Sequence, residues 1–293
     1  VVARPVVKWA GGKSRLVPRL VELMPPGDIG TYAEPFMGGA AMFFHLAAQP
    51  KRRFANAVLS DMNADLVALY QSIQSRLDTL VDRVRALRDE HMRREGKKRS
   101  DHYYEVRDRD ASKMKPIDRA ARLLFLNKTC FNGLWRVNAS GKFNVPYGRY
   151  DKPKILDVAV LKAARDALDG VKIVLGDYKK VTRDLAPGDF AYFDPPYVPL
   201  SKTSSFTSYA KDGFGPKEQE ELASELRRLA SIGVSAMLSN AYSAETRTLY
   251  SGLRQTKVPA ARAINSDPKK RGDVDEIVVM TYTDATPARR AAS

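Results

Sequence analysis

Four consecutive residues, Asp194-Pro195-Pro196-Tyr197, combine a carboxylate, a backbone stiffened by two prolines and an aromatic ring. That set suits an exocyclic amine conjugated to an aromatic base. The lone pair of such a nitrogen is delocalised, so it is a poor nucleophile. Asp194 and a carbonyl of the Pro-Pro turn can each accept one of its N–H hydrogens, holding the nitrogen closer to tetrahedral with its lone pair aimed at an electrophile. Proline fixes φ and so orients that carbonyl in advance. Tyr197 offers a ring for the base to stack on. The same residues also fit a plain strand-ending turn with a solvated Asp194. The choice rests on the rest of the chain.

Two glycine turns precede this segment. Residues 8–15, KWAGGKSR, resemble a phosphate loop, but Val7 stands where the Walker pattern needs its first glycine. An NTPase site is therefore not expected. The Gly-Gly turn can instead bring backbone close to a small ligand, with Lys13 near a carboxylate and Trp9 packed beside it; a tight strand-to-helix turn with a solvated Lys13 is the alternative. Residues 31–46 place Phe36, Gly38 and Gly39 between a strand and an apolar helix, as in a nucleotide-type βα unit. The spacing departs from the dinucleotide fingerprint, so hydride transfer is not indicated. Asp61 ends the next strand, about twenty residues on. There it is placed to accept hydrogen bonds from ribose hydroxyls, and it also fits the N-cap of a helix over 64–73.

The elements positioning these groups follow an α/β alternation. Residues 189–193, aromatic-rich and preceded by Pro-Gly, form a buried strand that must stop at the two prolines. Strands are expected over 57–60, 171–175 (leading into Gly176-Asp177), 234–238 and 276–283, with an amphipathic helix over 218–230. Helical spacing runs through Leu66, Leu69, Ile73, Leu77, Leu80, Val84 and Leu87. A dense charged stretch over 83–109 reads as a solvated helical face, and Pro116 starts another helix. Residues 125–150 mix Asn, Gly, aromatic and basic residues without periodicity, which predicts loop and hairpin. Two readings stay open there. In one, Arg136 and Arg149 meet guanine edges or phosphates, Asn132, Asn138 and Asn144 bond base edges, and Phe131 or Trp135 stacks or wedges at a gap. In the other, the hairpin packs on the core with exposed arginines. The basic turn at 265–272 is a phosphate contact or a mobile loop, and residues 284–293 read as a disordered tail.

The 293 residues carry 49 basic and 34 acidic side chains, a net charge of +15, which favours a polyanionic partner, nucleic acid before membrane. No apolar run spans a bilayer, and no signal-peptide core is present. A single cysteine excludes an internal disulfide, and three scattered histidines give no zinc spacing. A cytoplasmic, metal-free protein is expected.

Taken in order, KWAGGK (8–13), EPFMGG (34–39), SDMNADL (60–66), FNGLWRVN (131–138), FNVPYGRY (143–150) and DPPY (194–197) resemble the Dam-type, D12-class adenine-N6 DNA methyltransferases. The resemblance runs from about residue 5 to 283 and looks nearest to the methylases of GATC-recognising restriction–modification systems; Thr129, Cys130 and Trp135 vary from some members. It implies an α/β, Rossmann-like S-adenosylmethionine-binding sheet built from residues 1–64 and 151–283, with a helical and hairpin DNA-recognition insertion over 65–150. Trp9, Lys13, Asp61 and Asp194 match the family's cofactor-binding positions, and Phe36, Gly38 and Asp177 lie in motifs lining the same pocket. Asp194, Pro195, Pro196 and Tyr197 match the turn that holds a flipped adenine. Lys8, Leu134, Arg136, Asn138, Pro146 and Arg149 match its DNA-reading face. The implied partners are duplex DNA and, without direct contact, a restriction endonuclease of the same site; the implied state is a monomer. Methylation of cytosine N4 or of RNA adenine on the same fold is one rival, and a non-catalytic DNA-binding relic is the other.

Overall fold

The computed structural model describes residues 1–9, 11–197, 214–261 and 273–283. The expected basic turn at 265–272 and tail at 284–293 lie outside the described residues. The chain begins α1 (Val17–Glu22), β1 (Ile29–Pro35), α2 (Ala41–Ala47), β2 (Phe54–Asp61). Four helices follow: α3 (Ala64–Ser75), α4 (Leu77–Arg93), α5 (Gly96–Arg107) and α6 (Pro116–Thr129). After a hairpin come α7 (Val158–Ala167), β3 (Lys172–Leu175), α8 (Lys179–Thr182) and β4 (Phe190–Phe193). The remainder is α9 (Pro216–Ser231), β5 (Ser235–Ala241), α10 (Ala244–Leu249), β6 (Arg254–Ala261) and β7 (Asp273–Met280).

The strands form one sheet in the order β3-β2-β1-β4-β5-β7-β6. β1 to β5 run parallel, whereas β7 is antiparallel to both its neighbours. The order steps outward from β1 in both directions, which opens a crevice at the carboxyl ends of β1 and β4, where open α/β sheets bind ligands. Both faces are covered, as the apolar strands require. Phe190 and Tyr192 of β4 join one core with Tyr32, Met237 and helices α1 to α7. Ala191 and Phe193 join the other with α9 residues Leu222, Leu226 and Leu229.

Several expectations are revised. Asn63, not Asp61, caps α3: its Oδ1 accepts from the amides of Asp65 and Leu66 at 2.9 and 3.2 Å. The helical spacing over 66–87 breaks at Arg76, whose non-helical backbone (φ −142°, ψ 38°) separates α3 from α4. Residues 125–129 belong to α6 rather than to a loop, because Leu123 to Leu126 are all buried in the core. β5 runs on through Asn240, and β7 begins at Asp273. Helix α7 and strand β6 are additional to the expected elements; Val160, Leu161 and Ala164 of α7 fall at helical spacing and are buried. α3 is tied to the sheet layer by Gln71, which donates to the Ile173 carbonyl at 3.0 Å, and by Gln74 to Leu168 and Val171 at 2.6 and 2.8 Å. Among the described residues no helix is long and apolar enough to cross a membrane.

Candidate active site

β4 ends at Phe193, and the next carboxylate stands at the crevice. Asp194 Oδ1 lies 3.1 Å from Lys13 Nζ. That ammonium is 6% exposed, so it needs every partner it has. It also donates to the Gly11 carbonyl at 2.9 Å, approaches Glu276 at 3.6 Å and sits 4.4 Å from the centre of the Tyr197 ring. Tyr197 closes the set by donating to Glu276 Oε2 at 2.6 Å. Burial lifts Asp194 to a pKa of about 6, against the pull of Lys13 and with a push from Glu276. Burial, then the charges of Asp194 and Glu276, raises Tyr197, so its phenol stays protonated. Glu276 was not foreseen; β7 brings it here only through its place in the strand order, which no local spacing encodes.

The reverse side of the turn is clamped. Gln219, buried on α9, donates from Nε2 to the Pro196 carbonyl at 2.8 Å. Its own oxygen accepts from Asn240 Nδ2 at 3.1 Å and from the Tyr250 hydroxyl at 3.4 Å. The Pro196 carbonyl therefore already accepts one hydrogen bond, whereas among the described residues no donor reaches that of Pro195. Pro195 is thus the freer acceptor of the turn.

Beside the turn lies the glycine loop that follows β1. Gly38 has φ +46°, and a Cβ there would stand 2.7 Å from Trp9 Cδ1, so only glycine lets the indole approach. Phe36 adopts φ +60°, a strained conformation for a bulky residue. Its ring stacks on Tyr178 at 5.7 Å, and the Tyr178 hydroxyl is buried with no partner among the described residues. Asp61 Oδ2 accepts from the Gly38 amide at 3.0 Å and Oδ1 from Asn63 at 2.8 Å. Burial raises its pKa despite these bonds. Asp177, exposed after β3, accepts from the Lys180 amide at 3.2 Å. Trp9, Lys13, Phe36, Gly38, Asp61, Asp177 and Asp194 thus gather at the carboxyl edge of the sheet. Beneath them Glu34, unanticipated, accepts from Tyr32 and from the Phe43 amide at the start of α2, at 2.7 and 2.8 Å. Burial lifts it to about 8, so it is protonated at neutral pH.

The hairpin over 130–150 is held by two bridges, Cys130 with Tyr147 and Val137 with Phe143. Phe131 is half exposed, and Lys8, Asn132, Arg136, Asn138, Pro146 and Arg149 face solvent. Asn138 Oδ1 is spent on its own turn, accepting from Ser140 and Lys142. Asn144 Oδ1 accepts from Arg136 Nε at 2.8 Å. Leu134 is half-buried, its carbonyl taking the Cys130 thiol. Trp135 cannot act as a wedge: it is buried between Phe143, 4.8 Å away, and Trp9, 5.7 Å away.

A family model described as D12 class N6 adenine-specific DNA methyltransferase matches residues 9–264. The chain belongs to that family. Type II methyltransferase M.MjaIII of Methanocaldococcus jannaschii is 43% identical over 95% of this chain and 99% of its own length. Type II methyltransferase M1.LlaDCHI of Lactococcus lactis is 39% identical, with 95% of each covered. The DNA adenine methylase of Escherichia coli K12 is 31% identical, covering 94% and 95%. The solved rRNA methyltransferase aviRa of Streptomyces viridochromogenes shares 13% identity at a TM-score of 0.35, covering 92% of this chain and 84% of its own, too distant a likeness to bear on this one.

An adenine-specific DNA methyltransferase needs a methyl donor, and this edge of the sheet suits a cationic one. Asp61, Asp194 and Glu276 offer three carboxylates with Lys13 as the cation among them. The Tyr178 hydroxyl adds a buried polar atom with no partner among the described residues, and glycine at position 38 lets the Trp9 indole lie against the loop.

Proposed function

We propose that this D12-class enzyme methylates N6 of an adenine flipped out of duplex DNA, at GATC, with S-adenosylmethionine as donor. The observation that carries the reading is the pairing of two acceptors on one stiff turn, Asp194 beside a Pro195 carbonyl that no described donor occupies. S-Adenosylmethionine, when bound, supplies an electrophilic methyl group on a cationic sulfur. Trp9, Lys13, Phe36, Gly38, Asp61 and Asp177 would hold it.

The chain's own residues do the rest. An adenine inside a stacked duplex is out of reach, so extrusion comes first. Asp194 and the Pro195 carbonyl accept the two N6 hydrogens and turn the lone pair outward. The Tyr197 ring, fixed by Glu276, packs on the base. As N6 gains positive charge, the Asp194 carboxylate stabilises it, an interaction stronger in the transition state than in the ground state. With a pKa of about 6, Asp194 is mainly ionised at neutral pH and loses this role in acid.

On this reading residues 65–150 serve DNA recognition, and 1–64 with 151–283 serve catalysis. Arg136 and Arg149 are assigned to guanine edges or phosphates, with Lys8, Phe131, Asn132, Leu134, Asn138, Asn144 and Pro146 along the same face. GATC is supported by the motifs FNGLWRVN and FNVPYGRY, and a type II restriction role by the two relatives that carry that name. The enzyme is taken to act as a monomer.

The test is transfer of labelled methyl to duplexes with and without GATC, followed by digestion to nucleosides. Label in N6-methyladenine confined to GATC duplexes is expected. Label in N6-methyladenine elsewhere removes the site assignment, and label in cytosine removes the base assignment.

A further inference from the structure

Behind the hairpin lies a cavity of about 440 Å³ whose charged lining is Arg4, Lys8, Lys128, Lys152, Lys154 and Asp157. The single carboxylate is already spent. Asp157 Oδ2 lies 2.5 Å from Lys154 and 4.0 Å from Arg4, and Oδ1 caps α7 by accepting from the Val160 amide at 3.3 Å. The amines of Lys8, Lys128 and Lys152 have no hydrogen bond or ion pair among the described residues. Lys128 is the deepest of the three. Burial, then the charges of Lys8 and Arg4, pushes its pKa down. A half-buried ammonium beside like charges is unfavourable unless an anion joins it. The start of the ten-residue α7 lies on the same wall and favours negative charge too.

The neighbourhood says which anion. Gly133 and Tyr150 of the hairpin line the cavity, and the Tyr150 hydroxyl accepts from the Asn132 amide at 3.0 Å. Asn127 ties the Lys8 backbone to the hairpin, donating to the carbonyls of Lys8 and Gly133 at 2.7 and 3.1 Å. The cavity is thus continuous with the face assigned to base reading.

We infer that this basic cavity seats a backbone phosphate of the DNA duplex flanking the recognised site, with Lys128 and Lys152 as its principal contacts. The assignment rests on the reading of the chain as a DNA-methylating enzyme. A phosphate contact here positions the duplex and carries no sequence information.

The test is DNA affinity as a function of salt, for the wild type, for Lys152→Gln and for Lys128→Gln with Lys152→Gln. Lys152 is exposed, so its single variant keeps the fold. The double variant is expected to flatten the slope of log K against log salt by about one. It should weaken duplexes with and without GATC equally and leave donor binding unchanged. A scan of single methylphosphonate linkages should then find one position where the wild type loses affinity and the double variant loses no more. Wild-type affinity and slope in both variants would overturn the proposal while normal methylation left the enzyme reading intact. Unchanged DNA affinity together with binding of inorganic phosphate lost in the variants would overturn it in favour of a free-anion site. A wild type that neither binds nor methylates DNA would overturn both readings.

Discussion

At the turn after β4, Asp194, Lys13, Glu276 and Tyr197 each hold another member of the set, and Gln219 fixes the backbone from behind. In the hairpin Arg136 leans on Asn144, Asn138 on its own turn, and Phe131 and Arg149 stand in solvent. Both regions pair polar groups internally, but the first buries them and the second keeps them at the surface, where a partner can reach them. The difference fits the role proposed for each. Stabilising charge at a reacting atom is effective only when the dipoles are already in place. Reading a base edge needs donors that water can occupy until DNA displaces it. Trp9 joins the two regions, lying against the glycine loop at Gly38 and stacked on Trp135 of the hairpin.

The sharpest break of this contrast is Asp194→Ala. Single-turnover methylation is expected to fall by about a thousandfold or more, with duplex affinity in a binding titration close to wild type. Retained turnover would show that the turn's carboxylate is not the group that meets the amine.

Gln219→Leu tests whether the turn is held from behind. The change keeps the volume but removes the donor to the Pro196 carbonyl and this partner of the buried Asn240 amide, a loss of about 1–3 kcal/mol. The maximal rate should drop roughly ten- to a hundredfold if that energy is spent on the orientation of the turn. Dissociation constants for donor and DNA should hold. A variant that only melts at lower temperature, with its rate intact when folded, would make Gln219 a packing residue.

How much of this was legible in advance divides along the same line. The glycine turns, Asp194 and the helix beginning at Pro116 are local signals, and each has its expected place. The strand over 189–193 announced itself because aromatic residues fill both of its faces. Glu276, Gln219 and Glu34 were not legible. Glu276 and Gln219 reach the site from a strand and a helix far along the chain, and nothing in their neighbours marks them; Glu34 lies inside EPFMGG, but its side chain turns under the glycine loop to Tyr32 and Phe43, which the motif does not show. Asp61 was misplaced as a cap because Asn63, two residues on, competes for the same amides with better reach. Trp135 was misjudged because an aromatic in a polar segment reads the same whether it faces a base or another indole.

Arg136→Ala should leave the turn untouched. Saturating-DNA turnover is expected near wild type, while discrimination against one altered base pair weakens by about 1–3 kcal/mol. Measuring rate ratios for duplexes changed at single positions locates the base involved. A uniform loss across all duplexes would move Arg136 to the phosphate contacts.

The smallest effect lies in acid, where the two regions should separate by pH. His91 and His102 are buried in the helical part, Nδ1 to Nδ1 at 3.3 Å, and the Tyr147 hydroxyl lies 3.4 Å from His91 Nε2. Burial, then the charges of His102, Arg99 and Arg94, brings His91 down to about 4, and burial lowers His102 as well. An unfolded His91 takes its proton below about 6.5, whereas the folded one stays neutral until about 4. The unfolded state therefore binds more protons across that window, and stability falls as pH falls from about 6.5 toward 4, then levels off. For His91 alone the loss at pH 6 is about 1 kcal/mol. Catalysis should fail for a different reason, as Asp194 takes its proton near pH 6. His91→Phe, packed where Phe125 and Tyr147 already meet the ring edge to face, should flatten the acid slope of the melting temperature and leave the acid limb of the single-turnover rate where it was. If the rate limb moved with the melting curve, the two regions would be titrating as one, and the contrast between a buried turn and a surface hairpin would not extend to their proton chemistry.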